Sequence, residues 1–284
     1  MLALRSLTRV GTQMVYLTAT LRPSEEEQFI QLMGLPAKVQ CQWFRGATAR
    51  SNIQYRVQAY DVEQEEEAVV ALVDGLKEKY PLPGQIIVYC DTVEKTERYA
   101  TVLNCVCYHR NVGSRREKRV LVDQLTSGQH HVFTATNAWG LGIDAPTVRA
   151  VVHIGIVRWI RHYAQQSGRA GRDGLRSEAI IMRGFRLTGK GPIPQPFSKD
   201  VEPEMKELID GHGCMRRVLD TAMDGRDDGL DCGRGVEKCQ RCQGLADHEE
   251  GEAEESQREE KVEEVEFEQQ ILRRRAYVRK ESDY

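Results

Sequence analysis

The sequence predicts an α/β protein built on a parallel sheet, and two observations carry that expectation. Four short segments are apolar without polar alternation: QIIVYC at 85–90, HHVFTAT at 130–136, VRAVVHIG at 148–155 and EAIIMR at 178–183. Strands of this kind need cover on both faces, which is the situation of a parallel sheet. The second observation is the rhythm. Segments with apolar residues at helical spacing fall between the strands, and alternating strands and helices build such a sheet. This block, residues 36–190, reads as one α/β domain.

Taken in order, MVYLTAT at 14–20 reads as a buried strand and the following SEEEQFIQLMG as a helix. Ser24 and Glu27 have the spacing of a capping box, and Gly34 can close the helix. IQYRVQAY at 53–60 is a further strand. Ala68, Val69, Leu72 and Leu76 mark a helix over 63–80 that ends before Pro81. After QIIVYC come an amphipathic helix at 92–104 and another at 114–128, the latter with Ser114 and Glu117 as its capping box. Pro192, Pro194, Pro196 and Pro203 make 191–204 a linker. A small cysteine-bearing subdomain over 205–245 follows, with a helix at MRRVLDTAM. Residues 246–284 are an acidic tail, helical or disordered, with Val262, Val265 and Leu272 hinting at a narrow coiled-coil seam.

Charge is unevenly spread. Residues 243–284 carry 14 acids and 7 bases, so a chain of net charge −3 has a body of +4. Residues 134–186 hold 8 arginines against 3 acids, which suits a polyanionic partner. No apolar run reaches the roughly 18 residues of a membrane span. The first 22 residues hold Arg5, Arg9 and Arg22 and no acid, a transit-peptide composition, but the strand and helix that begin there make the structural reading the better one.

Eight cysteines are present. Cys41, Cys90, Cys105 and Cys107 read as free core thiols, whereas Cys214, Cys232, Cys239 and Cys242 cluster. The Cys239–Cys242 pair offers two thiolates from one tight turn. Cys214 at a helix start and Cys232 would complete a tetrahedral zinc site, with His212 or His248 able to stand in for Cys232.

QQSGRAGRDG at 165–174 sets two arginine forks, Arg169 and Arg172, among small residues, and such forks suit phosphate oxygens. A phosphate cradle should accompany them. The nearest candidate runs from Gly184 to Lys190 and Gly191, but it lacks the Ser or Thr that reaches magnesium. The prolines behind it cannot open the required helix.

YLTATL at 16–21, QIIVYC, TATNAWGLGIDAP at 134–146 and QQSGRAGRDG stand in the order of the third to sixth motifs of superfamily-two helicases. With RSNIQYRV at 50–57, TSGQHHVF at 126–133 and the cysteine cluster, residues 10–242 most resemble RecQ helicases. The resemblance implies a RecA-like second lobe over 36–190, preceded at 1–35 by the end of a first lobe. It implies that Arg169 and Arg172 reach the γ-phosphate of ATP across the cleft, aided by Gln165, and that Asp144 and Gly142 belong to the ATP side. Thr136, Asn137 and Gly140 would touch the DNA backbone, and Thr18 and Thr20 would link ATP state to DNA. Gln166 departs from the glutamate of the family.

The function expected from this resemblance is the C-terminal part of an ATP-dependent 3′–5′ DNA helicase, an ATP hydrolase of the nucleus acting at single-strand/duplex junctions. Mg²⁺ and most of the ATP contacts would come from the P-loop lobe, and Zn²⁺ from the cysteine subdomain. The chain by itself is expected not to hydrolyse ATP, and its acidic tail to engage a protein partner. The competing expectation is a truncated, non-catalytic DNA-binding or interaction module. An RNA helicase is a third reading.

Overall fold

The computed structural model describes residues 14–18, 20–35, 41–137, 145–226 and 232–245. The chain divides into two compact units, Met1–Arg241 and Cys242–Tyr284. The first holds a seven-stranded sheet: β1 (Ile53–Asp61), β2 (Gln85–Cys90), β3 (Val106–Tyr108), β4 (Val132–Ala135), β5 (Val148–Ile154), β6 (Ser177–Thr188) and β7 (Gly191–Pro194). The order is β1-β6-β5-β2-β4-β3, all parallel, with β7 added antiparallel to β6. The helices are α1 (Glu26–Met33), α2 (Glu65–Lys79), α3 (Val93–Val102), α4 (Arg115–Thr126), α5 (Ile160–Ser167), α6 (Pro203–Asp210) and α7 (Met215–Asp224). The predicted parallel α/β class is the one observed.

Every residue of β2 is buried, as its unbroken apolar run requires. Ile86, Val88, Val152, Ile154 and Ile180 line one face, against Val69, Val73 and Leu76 of α2 and Tyr99 of α3. Burying each such aliphatic chain is worth about 1.5–3 kcal/mol. On the opposite face Tyr55 and His153 meet Tyr163 of α5, and Tyr89 stacks on His153.

Two local expectations are corrected. Residues 14–18 and 20 form no strand: Val15 is 74% and Leu17 92% exposed, and Tyr16 packs edge-on against Phe29 instead. An apolar run becomes a strand only where it pairs with a sheet edge, and groups on and just before the outer edge of β1 are bonded to other segments. Arg216 Nη2 bonds the Ile53 carbonyl at 2.9 Å, Glu237 N the Ser51 carbonyl at 2.7 Å, and Gln240 Oε1 the Val57 amide at 2.8 Å. The Ser24–Glu27 capping box is also absent. A 3₁₀ turn over Pro23–Glu25 starts the helix, because proline at the first position sets the turn early. Gly34 does close α1 in the left-handed conformation, and the Ser114–Glu117 box caps α4.

Residues 184–191, the rejected phosphate cradle, are part of the β6–β7 hairpin, with Thr188 paired to Gly191. β7 and the start of α6 lie within the segment read as a linker.

Candidate helicase second-lobe site

The loop after α5 carries Arg169 and Arg172, and its backbone is fixed from several directions. Gly171 N donates to the Val148 carbonyl at 2.9 Å. Asn52 Nδ2 donates to the carbonyls of Gly171 and Leu175, each at 2.8 Å. Gly171 sits at φ +61, and a Cβ there would lie 2.3 Å from Asn52 Nδ2, so only glycine fits. Asp173 is held by both guanidinium nitrogens of Arg149, one at 3.0 Å, and this pairing keeps its carboxyl below the ordinary range. The loop is therefore a rigid mount. Arg169 is buried and hydrogen-bonds the hydroxyl of Tyr89, whereas Arg172 faces solvent. Burial pushes the Tyr89 phenol up, and Arg169 opposes it.

Gln165, expected to help organise this site, is exposed, and the buried neighbour is Gln166. Gln166 Oε1 meets His153 Nε2 at 2.9 Å, and Gln166 Nε2 donates to Asn137 Oδ1. One buried amide thus joins the arginine-bearing helix to the first turn after β4. His153 stacks on Tyr89 with centroids 5.6 Å apart, closing a circuit back to Arg169. Thr136 N bonds the Tyr108 carbonyl at 3.1 Å, which starts that turn beside β3. Thr18 Oγ1 accepts from Thr20 N at 3.3 Å. Gly140, Gly142 and Asp144 lie outside the described residues. Tyr89, His153, Asn52 and Gly171 were not singled out by sequence. The glycine-rich stretch GRAGRDG was the one signal available for Gly171.

His153 is 2% exposed, and burial lowers its pKa from 6.5 to about 4 against the opposing hydrogen bond to Gln166. Between these values the unfolded chain binds a proton that the native one does not. Stability is then fully present above pH 6.5 and lost as pH falls toward 4. The expected loss from this group between pH 7.5 and pH 5 is about 2 kcal/mol. Urea unfolding at both pH values should show it in the wild type, and His153→Gln should lack that increment.

The four clustered cysteines converge. Their sulfurs all lie within 4.8 Å of one another, with Cys214 and Cys239 buried. Cys214 Sγ is 3.7 Å from Cys232 Sγ and 3.9 Å from Cys239 Sγ. Four thiolates at about 2.3 Å from one tetrahedral zinc stand about 3.8 Å apart, so the spacing fits the metal and is far too long for disulfides. The crowding by Cys232 and Cys239 pushes the Cys214 thiol far up, so several thiolates need a cation to coexist. Cys232 takes its place in the set, and His212 does not join it. His248 lies outside the described residues. Cys214 caps the start of α7, as its position before MRRVLDTAM suggested.

Residues 64–174, which hold most of the sheet and the arginine loop, match the helicase conserved C-terminal domain. The chain is 32% identical over 176 residues to ATP-dependent DNA helicase Q1 of Mus musculus, covering 59% of this chain and 26% of that protein. It is 32% identical over 178 residues to ATP-dependent DNA helicase Q-like 2 of Arabidopsis thaliana, covering 59% and 24%. Over 128 residues it is 35% identical to ATP-dependent DNA helicase Q4 of Homo sapiens, covering 38% and 10%. The chain thus spans about a quarter of the first two relatives. The fold is shared with Saccharomyces cerevisiae Dbp5 bound to RNA and ADP BeF3, at TM-score 0.51 and 20% identity, covering 63% of this chain and 47% of that one. Over the matched residues the chain is similar to the C-terminal helicase domain of these DNA helicases. Among the described residues no helix is long and apolar enough to cross a membrane.

Proposed function

We propose that the chain serves as the nucleic-acid-gripping and ATP-sensing lobe of a 3′–5′ DNA helicase of the nucleus. The observation that carries this reading is the Arg169–Tyr89–His153–Gln166–Asn137 circuit. It connects the arginine loop to the turn after β4 through buried contacts. Arg172, exposed on the rigid mount, reaches toward a nucleotide held by a P-loop lobe, and Arg169 stands behind it. A guanidinium there offsets the charge spread over the γ-phosphate oxygens, and such arginines contribute about 10³–10⁵ in rate. Magnesium and the phosphate cradle belong to the P-loop lobe. By this reading the chain alone does not turn over ATP. Thr136, Asn137 and Gly140 grip the DNA backbone, Thr18 and Thr20 pass on the nucleotide state, and Gly142 and Asp144 serve the ATP side. Cys214, Cys232, Cys239 and Cys242 would hold a zinc ion, which would supply a structural cross-link within the subdomain.

The test is binding of a fluorescent single-stranded DNA by the full chain, followed by anisotropy. Binding should weaken steeply with salt. Asn137→Ala should weaken it about tenfold, the effect of removing roughly one charge-assisted hydrogen bond. Salt-independent binding, or none, would overturn the assignment.

A further inference from the structure

Glu202 lies between β7 and α6, inside the segment read from sequence as a linker, yet its carboxylate joins two segments on which the site depends. Arg22 Nη2 donates to both of its oxygens, at 2.8 Å each, and Ile160 N donates to Oε2 at 2.8 Å. Ile160 opens α5, and the residue before it, Trp159, makes no side-chain cap. The first amides of a helix need an acceptor from outside it, and a carboxylate suits the positive helix end. Glu202 supplies that acceptor from 42 residues away in sequence. Its other partner, Arg22, stands two residues after Thr20.

The carboxylate is itself held in place. Glu202 N donates to the Arg158 carbonyl at 3.0 Å, Lys206 N donates to the Glu202 carbonyl at 3.2 Å, and Arg158 pairs with Asp200. The Arg22 and Glu202 side chains are only 14% and 18% exposed, so the pair is largely out of water, where opposite charges attract more strongly. A second pair of reversed sign runs beside it: Glu25, on the 3₁₀ turn, meets Arg161 of α5. Sliding this segment along α5 would bring Arg22 toward Arg161 or Glu25 toward Glu202, and like charges set together cost energy. The two pairs therefore fix one register of the segment on α5. The eight-residue α5 is a rod of about 12 Å, and Gln166 and the arginine loop lie at its far end. Glu202 holds the near end, and the bonds of Gln166 to His153 and Asn137 hold the other.

We infer that Glu202 is a positioning residue: it ties the Thr18–Thr20 segment to α5, so that displacement of that segment is passed along the helix to Gln166, the Asn137 turn and the arginine loop. This rests on the DNA-gripping and ATP-sensing reading of the lobe. Glu202 touches neither DNA nor nucleotide under this assignment and acts through Ile160 and α5.

The experiment uses the full chain and reads two quantities on the same variants: anisotropy of fluorescent oligothymidylate, and hydrogen exchange by mass spectrometry without DNA. Glu202→Ala should weaken binding about threefold to tenfold, the range in which residues remote from a ligand tune its affinity. In a Gln166→Leu background the path from α5 to Asn137 is cut, and the same change should then cost less than about twofold. Glu202→Ala should speed exchange of amides 22–33 and 160–171 together. Arg22→Ala should speed it at 22–33 alone, because Glu202 still holds Ile160 N. Glu202→Gln keeps an acceptor for Ile160 N and should fall between wild type and Glu202→Ala in both readouts; it carries the comparison should the alanine variant fail to fold. Asp210→Ala removes the Arg183 pair on α6, whose geometry is similar, and controls for lost stability. It should change neither binding nor exchange at 160–171. Wild-type affinity in Glu202→Ala, an undiminished loss in the Gln166→Leu background, or unchanged exchange at 160–171 overturns the inference. Failure of the wild type to bind any strand instead overturns the reading of the lobe, and with unchanged exchange at 160–171 the tie through Glu202 as well.

Discussion

Cys239→Ser is expected to release the zinc and to loosen residues 203–245 together. Cys239 is fully buried, its amide donates to Cys232 Sγ at 3.1 Å, and its sulfur is 3.9 Å from that of Cys214. It therefore supplies both a ligand and a strut of the cage. The binding free energy of a structural zinc is folding free energy, about 10–16 kcal/mol in small zinc peptides. Even with three thiolates left, a loss of about 5 kcal/mol is expected, or roughly 10–20 °C in melting temperature. Elemental analysis should fall from about one zinc per chain to near zero. Chelation of the wild type should reproduce the melting shift, and Cys41→Ser, outside the cluster, should change neither quantity. Equal zinc content in Cys239→Ser and wild type would refute the four-thiolate site.

Glu178→Ala should damage the sheet through charge. This carboxylate, 1% exposed on β6, accepts from Arg56 Nε at 2.8 Å and Tyr80 Oη at 2.8 Å and pairs with Lys79 Nζ at 2.5 Å. Burial alone would raise its pKa, but Lys79, Tyr80 and Arg56 together hold it below the ordinary value. Removing one partner of a fully buried pair costs about 3–5 kcal/mol. Here Lys79 is 48% and Arg56 23% exposed, so both rehydrate in part and about 2–3 kcal/mol is the fitting figure. Because the folded pKa is depressed, the contribution is complete above the unfolded value near pH 4.3 and vanishes as pH falls through the folded one. Urea unfolding should separate wild type and variant at pH 7 and bring them together in acid. A separation that persists in strong acid would mean that packing, not charge, is what Glu178 supplies.

What was legible in the sequence follows from where each signal resides. β2 and β5 were legible almost to the residue because burial on both faces demands an unbroken apolar run. α4 was legible because its cap is made by its own residues, Ser114 and Glu117. The cysteine cluster was legible because Cys239 and Cys242 share one turn. The Arg169–Arg172 loop stood out by composition, but its mount did not: Asn52 reaches it from 119 residues away in sequence. The His153–Gln166 pair was hidden for a similar reason, with its members on a strand and a helix and no spacing rule between them. β3 has three residues, too few for a periodic pattern. α5 has no side-chain cap, and its buried face includes Gln166 and Ser167. β7 carries two prolines, tolerable because it is a short edge strand. The segment at 14–20 failed in the opposite sense: its apolar residues suit a strand, but strandhood depends on a partner.

The cover over β1 has a consequence for the protein in solution. Arg216 and Gln240 occupy hydrogen-bonding groups of that strand and Glu237 the Ser51 carbonyl just before it, and all three sit beside or between the clustered cysteines in the chain. A sheet margin with vacant amides and carbonyls recruits strands from other molecules. The cysteine cage is therefore also a guard against self-assembly. Chain that loses its metal should be lost first as oligomers and precipitate, faster at higher protein concentration, before the sheet itself melts.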